Sequence, residues 1–510
     1  MKTLRLILGD QLNADHSWFQ APQSNHVYVM MEMKQELTYV KHHVQKVMAF
    51  FLAMHNFKDD LSKRGHQFIY LTLDDANNYQ ELEKNLDHII SSNDIEHFEY
   101  QMPDEYRLDE QLKAYCQKLS ISSQMVDTEH FLTTREELGT FFRGKKQWLM
   151  ESFYRQMRKK HGVLMEGSEP TGGQWNFDHD NRKKMPKDLK IPPPKAFPKK
   201  VEELKKLLDD QGVKTFGNLD IKKFIWPVSE KEAKVLFNYF LENLLPNFGS
   251  YQDAMTTQGW SLFHSRISFA LNAKILPPQY IIEATEEHYR QHEDDVPLSA
   301  VEGFIRQILG WREYMRGIYW HHMPDYASTN FFNHERKLPS WYWTGKTKMK
   351  CLSHSIEQSL DYAYAHHIQR LMVTGNFALL AGVHPDEVDA WYLGVYIDAI
   401  EWVEITNTRG MSQFADGGVV ATKPYVASAN YMHKMGHYCS QCSYDYKRKT
   451  GEGACPFNSL YWHFIDRNKN KLSNNPRMGM IYRVWDKNSE EKKNQILEQA
   501  DNYLNQINEL

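Results

Sequence analysis

The sequence predicts an amino-terminal α/β domain, built on a doubly wound parallel sheet, joined to a larger all-helical domain. Three observations carry this. Strand-length apolar runs alternate with helical periodicity up to about residue 135, a Lys- and Pro-rich stretch interrupts the chain at 183–200, and the later segments carry three-to-four apolar spacing with few strand signals. At 510 residues the chain has room for several hydrophobic cores. Its formal net charge is -4, from 61 basic and 65 acidic residues, so nucleic-acid binding must come from a local basic patch rather than overall attraction. No stretch reaches the roughly 18 apolar residues a membrane span requires, and the apolar run after Met1 is too short for a signal peptide. A soluble, cytoplasmic protein with no membrane partner is expected.

Leu4-Arg-Leu-Ile-Leu8 reads as a buried strand ending in Gly9-Asp10-Gln11-Leu12, and His26-Val-Tyr-Val-Met-Met31 as a second. Val44, Val47, Met48, Phe51 and Leu52 give residues 39–64 helical spacing, and Gln67-Phe-Ile-Tyr-Leu-Thr72 returns as a strand. A parallel sheet with helices on both faces places a ligand pocket at the strand carboxyl ends, near Asp10. The Gly9-Asp10 pair fits a plain strand-to-loop turn equally well. Pro192-Pro-Pro194 cannot form helix or central strand, so 183–200 is a linker or a surface excursion. Beyond it, residues 230–245, 261–274, 297–320, 354–381 and 385–403 predict long helices. The tail from Lys487 is charged and predicts a surface helix. The expected division is 1–135 (α/β), 136–225 (connector), 226–486 (helical) and 487–510 (tail), with no internal repeat.

Four of five cysteines lie in the last third: Cys351, the pair Cys439-Ser-Gln-Cys442, and Cys455 followed by Pro456. A Cys-x-x-Cys pair sets two soft thiolates on one turn, and two more complete a four-sulfur shell for zinc or an iron-sulfur cluster. Disulfides are disfavoured by the odd cysteine count and the reducing compartment that a chain without a signal peptide implies. Burial of small hydrophobes is the remaining alternative. Spacing does not decide between zinc and iron-sulfur, although the Cys-Pro ending leans toward the latter, because bacterial ferredoxin ligand runs also end in Cys-Pro. Cys116 has no assigned role.

This organisation resembles the cryptochrome and photolyase family, whose architecture joins a Rossmann-like domain to a helical flavin-binding domain. The anchors are Phe304-Ile-Arg-Gln-Ile-Leu-Gly-Trp311-Arg312-Glu313, similar to the family's Trp-Arg-Glu helix, Phe263-His264-Ser265-Arg266-Ile267-Ser268, similar to its flavin phosphate-binding segment, and Ala365-His366-His367-Ile-Gln-Arg370-Leu-Met. With the Gly-Asp-Gln-Leu start and the four cysteines, the chain looks like the bacterial iron-sulfur branch, which includes (6–4) photolyases and cryptochrome-like photoreceptors. The resemblance implies FAD held by His264, Ser265, Arg266, Ser268, Gln307, Arg312, Arg370 and Asp398, and a 4Fe–4S cluster on Cys351, Cys439, Cys442 and Cys455. It also implies a 6,7-dimethyl-8-ribityllumazine antenna touching Asp10, Glu36 and Tyr39. Independently, hydroxyls and free backbone N–H groups at the start of a helix near Ser265 and Ser268 can take a diphosphate, although an ordinary Ser cap has the same appearance. Arg370 and Asp398 could pair over an isoalloxazine edge, and either alone is more often part of a structural ion pair.

By the same resemblance Glu404 faces flavin N5, where many photolyases have Asn, and Trp343, Trp391 and Tyr392 relay electrons from the surface. His366 and His367 occupy the positions of a proton donor. Repair of a (6–4) lesion moves an oxygen between two bases and requires a proton donor beside the substrate, a role that suits histidine. Tyr425 is a lesion-pocket or loop contact. Basic residues near 434–448, with Trp462 and Arg467, form either a DNA-gripping rim or a solvated face around the metal loop. Asp178 and Asp253 are candidates to hold a divalent cation, such as Mg, near the lesion. The expected activity is light-driven reversal of (6–4) photoproducts in UV-damaged DNA by a monomer with no obligate protein partner. The alternative is a blue-light photoreceptor without repair activity, and a third reading is a light-independent electron carrier. The cysteine loop, far along the chain from the flavin segments, is expected to be structural.

Overall fold

The computed structural model describes residues 1–510. Five parallel strands, β1 (Thr3–Leu6), β2 (His26–Met31), β3 (Gln67–Leu71), β4 (His97–Gln101) and β5 (Ser122–Val126), form one sheet in the order β3-β2-β1-β4-β5. The central strand β1 is buried along its whole length between β2 and β4, with Leu4 and Leu6 in the smaller core and Arg5 paired with Glu99 at 2.7 Å. The strand order reverses direction between β1 and β4, so a crevice opens beyond their carboxyl ends.

Helices α1 (Val44–Lys63), α2 (Leu82–Ser92) and α3 (Tyr106–Cys116) complete this domain. The predicted helix at 39–64 begins only at Val44, because the His43 ring caps it: Nδ1 accepts from the Gln45 backbone at 3.1 Å. The same residue fixes the two domains together, since His43 N–H donates to the Gly394 carbonyl at 2.9 Å and its Nε2 bonds the Leu360 carbonyl at 2.8 Å. Lys46 Nζ, one turn on, donates to the Leu393 carbonyl at 2.7 Å. One core runs from α1 through the helical domain, and a smaller one lies on the other sheet face around Val29, Leu86 and Leu112.

The helical domain contains α4 (Ser268–Asn272), α5 (Leu298–Ile305), α6 (Glu313–His322), α7 (Lys350–Tyr362), α8 (Asn376–Ala381), α9 (Pro385–Val395), α10 (Glu401–Ile405), α11 (Pro456–Arg467) and α12 (Glu490–Asn505). Three of the long helices predicted from periodicity are broken. The 261–274 stretch reduces to α4, the 354–381 stretch is interrupted after Tyr362 by Ala363 at φ 50°, and the 385–403 stretch opens between Val395 and Glu401. Three seven-residue π-helical segments, 306–312, 369–375 and 406–412, are inserted into the helical paths. Such insertions are rare and cluster at functional sites. Gly375 lets two of them touch: a Cβ there would lie 2.1 Å from Ser412 Oγ.

The 183–200 stretch is a surface strap rather than a free linker. The Pro193 carbonyl accepts from Tyr239 and the Lys195 carbonyl from Arg266, so it is tied to the helical domain along its length. The tail also differs from a merely exposed helix. Ile496, Ala500 and Leu504 of α12 are buried against α11, the amphipathic pattern having been hidden by its charged face.

Candidate functional site

A cavity of about 330 Å³ lies in the helical domain, walled by residues 264–272, the three π-helical segments, the loop after Ala363 and the bend between α9 and α10. His264, Ser265, Arg266, Ser268, Gln307, Arg312, His366, His367, Arg370, Tyr392, Asp398 and Glu404 all line it. The helix breaks are what deliver these groups: the loop after Ala363 carries His366 and His367, and the bend before α10 carries Asp398.

Arg370 and Asp398 form a bidentate pair at 2.9 and 3.1 Å. The Arg370 guanidinium lies 3.8 Å from the centre of the Tyr396 ring, and its Nε donates to the Ala365 carbonyl at 2.6 Å. Burial would raise the Asp398 carboxyl, but the Arg370 charge together with hydrogen bonds from Arg370 and Ser268 holds the group below its ordinary value. Ser268 does not offer its hydroxyl freely, as the sequence suggested; Oγ donates to Asp398 Oδ2 at 2.6 Å. Arg266 has a left-handed backbone at φ 58°, a strained conformation for a non-glycine residue. Several buried polar atoms here have no partner: Arg266 Nε, Arg312 Nε and Nη1, His264 Nε2, His366 Nδ1 and one Glu404 oxygen. Leaving such atoms unpaired is costly. Their chemistry, cationic donors together with neutral rings and a carboxyl, fits an anionic cofactor with a polar heterocycle.

His264 and His366 stack in parallel, with ring centres 4.8 Å apart and planes 10° from coplanar. Burial, aided by the His367 and Arg370 charges, pushes His264 down to about 3, and burial with Arg370 pushes His367 down to about 4. His366 is also pushed well down, by burial and then by His264. In this cavity all three rings are neutral at pH 7. Glu404 is driven the opposite way, well above the carboxylate range, by burial and then by the Asp389 charge.

Tyr392 and Tyr396 form the inner wall, and Trp391 packs on both at 5.3 and 5.9 Å. Trp391 is fully buried, whereas Trp343 is 38% exposed and packs on Phe216 at 5.1 Å. The two indoles are linked by a hydrogen bond: Trp391 Nε1 donates at 3.1 Å to the Tyr342 carbonyl, which belongs to the peptide unit leading into Trp343.

A second cavity, of about 150 Å³, opens at the sheet crevice, with Asp10, Glu36 and Tyr39 in its lining. The Glu36 carboxylate is gripped by Arg107 at 2.8 and 3.2 Å, and that guanidinium lies 4.9 Å over the Tyr39 ring. Asp10 is held by Lys274 at 3.2 Å. Sequence reading missed Lys46, Glu105 and Glu401, which also line this cavity. Burial pushes Lys46 down to about 8 and Glu105 up to about 8. Ala399 lines both cavities, so the residues before α10 are their shared wall.

Cys351, Cys439, Cys442 and Cys455 line one small apolar cavity of about 10 Å³, and all are free thiols. No three His, Cys, Asp or Glu side chains are gathered tightly enough to hold a single ion. The loop is not remote from the first cavity, as chain distance implied. Tyr438, beside Cys439, accepts from Gln369 Nε2 at 3.2 Å, and Gln369 Oε1 accepts from the His366 backbone N–H at 3.2 Å. Tyr503 of α12 braces the loop by donating to the Ala454 carbonyl at 2.6 Å.

Asp178 pairs with Arg182 at 2.8 Å and also with Arg306, so its charge is already compensated. Burial pushes nearby Asp253 up to about 6, and Tyr425, 37% exposed, is raised first by burial and feels Arg182 and both carboxylates. The Arg467 guanidinium donates to the Leu379 and Leu380 carbonyls near the end of α8. Trp462 stacks on Trp485 at 5.2 Å.

Residues 5–226 match the family model described as deoxyribodipyrimidine photo-lyase-related protein. A (6-4) photolyase of Agrobacterium fabrum is 41% identical over 514 residues, covering 99% of this chain and 100% of its own. A bacterial class III photolyase from Agrobacterium tumefaciens superimposes with a TM-score of 0.56 at 16% identity, over 83% of this chain and 81% of its own. A cryptochrome of Synechocystis sp. PCC6803 does so at 0.58 and 13% identity, over 95% and 94%.

Proposed function

The chain belongs to the deoxyribodipyrimidine photo-lyase-related family, and from that premise we propose that it is a light-driven DNA-repair lyase that reverses (6–4) photoproducts. The observation that carries this reading is the convergence of three histidines on the cavity that holds the Arg370–Asp398 pair. FAD bound in its reduced form supplies an electron on blue-light excitation. The unpaired donors of Arg266 and Arg312 hold its phosphates, and the Arg370–Asp398 pair fixes its polar ring edge. His366 and His367 hold a transferable N–H beside the lesion. The donor form is the imidazolium, which burial disfavours in the empty cavity and which the negative charge of a reduced flavin and of DNA phosphates would favour in the loaded one.

Trp391, Tyr392 and Trp343 return electrons to the cavity from the surface. Replacing Trp391 with Phe should therefore abolish most light-driven flavin reduction while chemically reduced protein keeps its repair rate. Equal loss of both would show that Trp391 serves packing alone.

The four thiols that line one cavity would hold a 4Fe–4S cluster, and iron and sulfide content of the protein would separate this from zinc. The sheet cavity is the antenna site, its size and mixed acid-base lining fitting a compact ribityl-bearing heterocycle. A divalent cation at Asp178 and Asp253 must displace Arg182, and magnesium dependence of DNA affinity would reveal it.

The deciding test is blue-light repair of an oligonucleotide holding one (6–4) photoproduct by reduced protein, with dark and cyclobutane-dimer controls. Restoration of the (6–4) strand alone is expected. Absence of repair by fully flavin-loaded protein would overturn the lyase reading in favour of the photoreceptor.

A further inference from the structure

Residues 363–366 belong to no helix or strand, yet three consecutive residues of this loop are each held by a buried or half-buried side chain. The Tyr364 carbonyl accepts from Gln358 Nε2 at 3.1 Å and the Ala365 carbonyl from Arg370 Nε at 2.6 Å, while the His366 backbone N–H donates to Gln369 Oε1 at 3.2 Å. Gln358 of α7 and Gln369, at the start of the π-helical segment 369–375, are both buried and bond each other, each Nε2 lying 3.1 Å from the other's Oε1. Their orientations are fixed by neighbours with one possible role, since a backbone N–H only donates and the Trp260 and Tyr364 carbonyls only accept. Gln369 has no bonding capacity left over. Oε1 accepts from Gln358 and His366, and Nε2 gives its two protons to Gln358 and, at 3.2 Å, to the Tyr438 hydroxyl.

The His366 ring has no comparable tether at Nδ1, which is unpartnered, so it stands by its backbone and by the stack on His264. Where that backbone is held decides where the ring reaches. The other end of the network lies at the cysteine cavity. Tyr438 lines that cavity beside Cys439, and Cys351 and Gln358 share one face of α7, about two turns apart.

We propose that Gln369, backed by Gln358, is the positioning residue for His366, and that Tyr438 makes this placement depend on the cysteine loop. This rests on the reading of His366 as proton donor and names what holds the donor in place. No proton or electron passes through the amides. Their contribution is geometric: a reacting group misplaced by about 1 Å can lose about a hundredfold in rate.

The test compares flavin-loaded Gln369→Met and Tyr438→Phe proteins with the wild type. The first replaces the amide by an apolar chain of similar length, and the second removes a single oxygen. With flavin content, iron content and lesion-DNA affinity unchanged, repair of bound (6–4) lesion should slow about a hundredfold in Gln369→Met. In Tyr438→Phe it should slow by up to about tenfold, the scale of one hydrogen bond. A second readout needs no repair. In protein carrying isotopically labelled histidine, the ring resonance that disappears in His366→Ala should be displaced in both variants, in the dark and without DNA. Should Gln369→Met fail to fold, Tyr438→Phe still reports both effects. A His366 resonance at its wild-type position in a folded variant overturns the proposal, and so does a repair loss that merely tracks loss of flavin or iron. If the wild-type protein repairs no (6–4) lesion, the proton-donor reading falls, while the resonance still decides whether Gln369 places the ring.

Discussion

Replacing His366 with Ala yields a chain that still binds flavin yet repairs (6–4) photoproducts at least about a hundredfold more slowly, the range expected when a positioned general acid is removed. The ring stands in the cavity wall, stacked 4.8 Å from His264, with its Nδ1 unpartnered. His367 lies in the same wall, and its replacement should also lower repair, because it is the second imidazole there that can carry a proton. Flavin content and absorbance separate chemistry from cofactor loss. Asn at position 366 supplies a second check, since it keeps a polar group there but cannot return a proton. Wild-type repair rates in His366→Ala and His367→Ala, singly and together, would sink the acid–base role.

If the proposed 4Fe–4S cluster is bound, replacing Cys351 with Ser should remove iron and lower the stability of the helical domain. Cys351 lies in the first turn of α7, Cys439 and Cys442 on one loop, and Cys455 at the cap of α11, so the four thiolates join three separate segments. Burial pushes the Cys351 and Cys455 thiols far up and Cys439 up to about 11, so without a cation they remain neutral and line an unfilled apolar void. A structural metal site contributes folding free energy on the scale of the roughly 5–15 kcal/mol by which a domain is stable at all. Iron content, visible absorption and thermal melting read the outcome. A Cys351→Ser protein that melts at the wild-type temperature without iron would show the site to be dispensable for folding.

The parallel sheet was legible because β1 and β2 are buried runs whose pattern depends on local sequence, and α1 because its apolar spacing is regular. The site residues were legible only through their resemblance to family motifs, since nothing in the spacing of Arg370 and Asp398 announces a pair 28 residues apart. Periodicity failed where the site is built. The segments on either side of each break keep helical apolar spacing, so 354–381 and 385–403 read as continuous helices although the chain breaks at Ala363 and before Glu401. Chain distance misled in the same way about the cysteine loop, which Gln369 and Tyr438 tie to the backbone of His366.

By itself, then, the sequence determined the two-domain class, the strand and helix types and the inventory of reactive side chains, because these follow from short-range patterns of burial and residue chemistry. Only the tertiary structure decided which groups face one another: the stacked His264 and His366, the shared wall between the cavities at Ala399, and the Arg409 clamp on Asp386 and Asp389. Those arrangements are set by long-range ion pairs and by helix breaks whose strain is offset by packing around them, and neither leaves a mark on local periodicity.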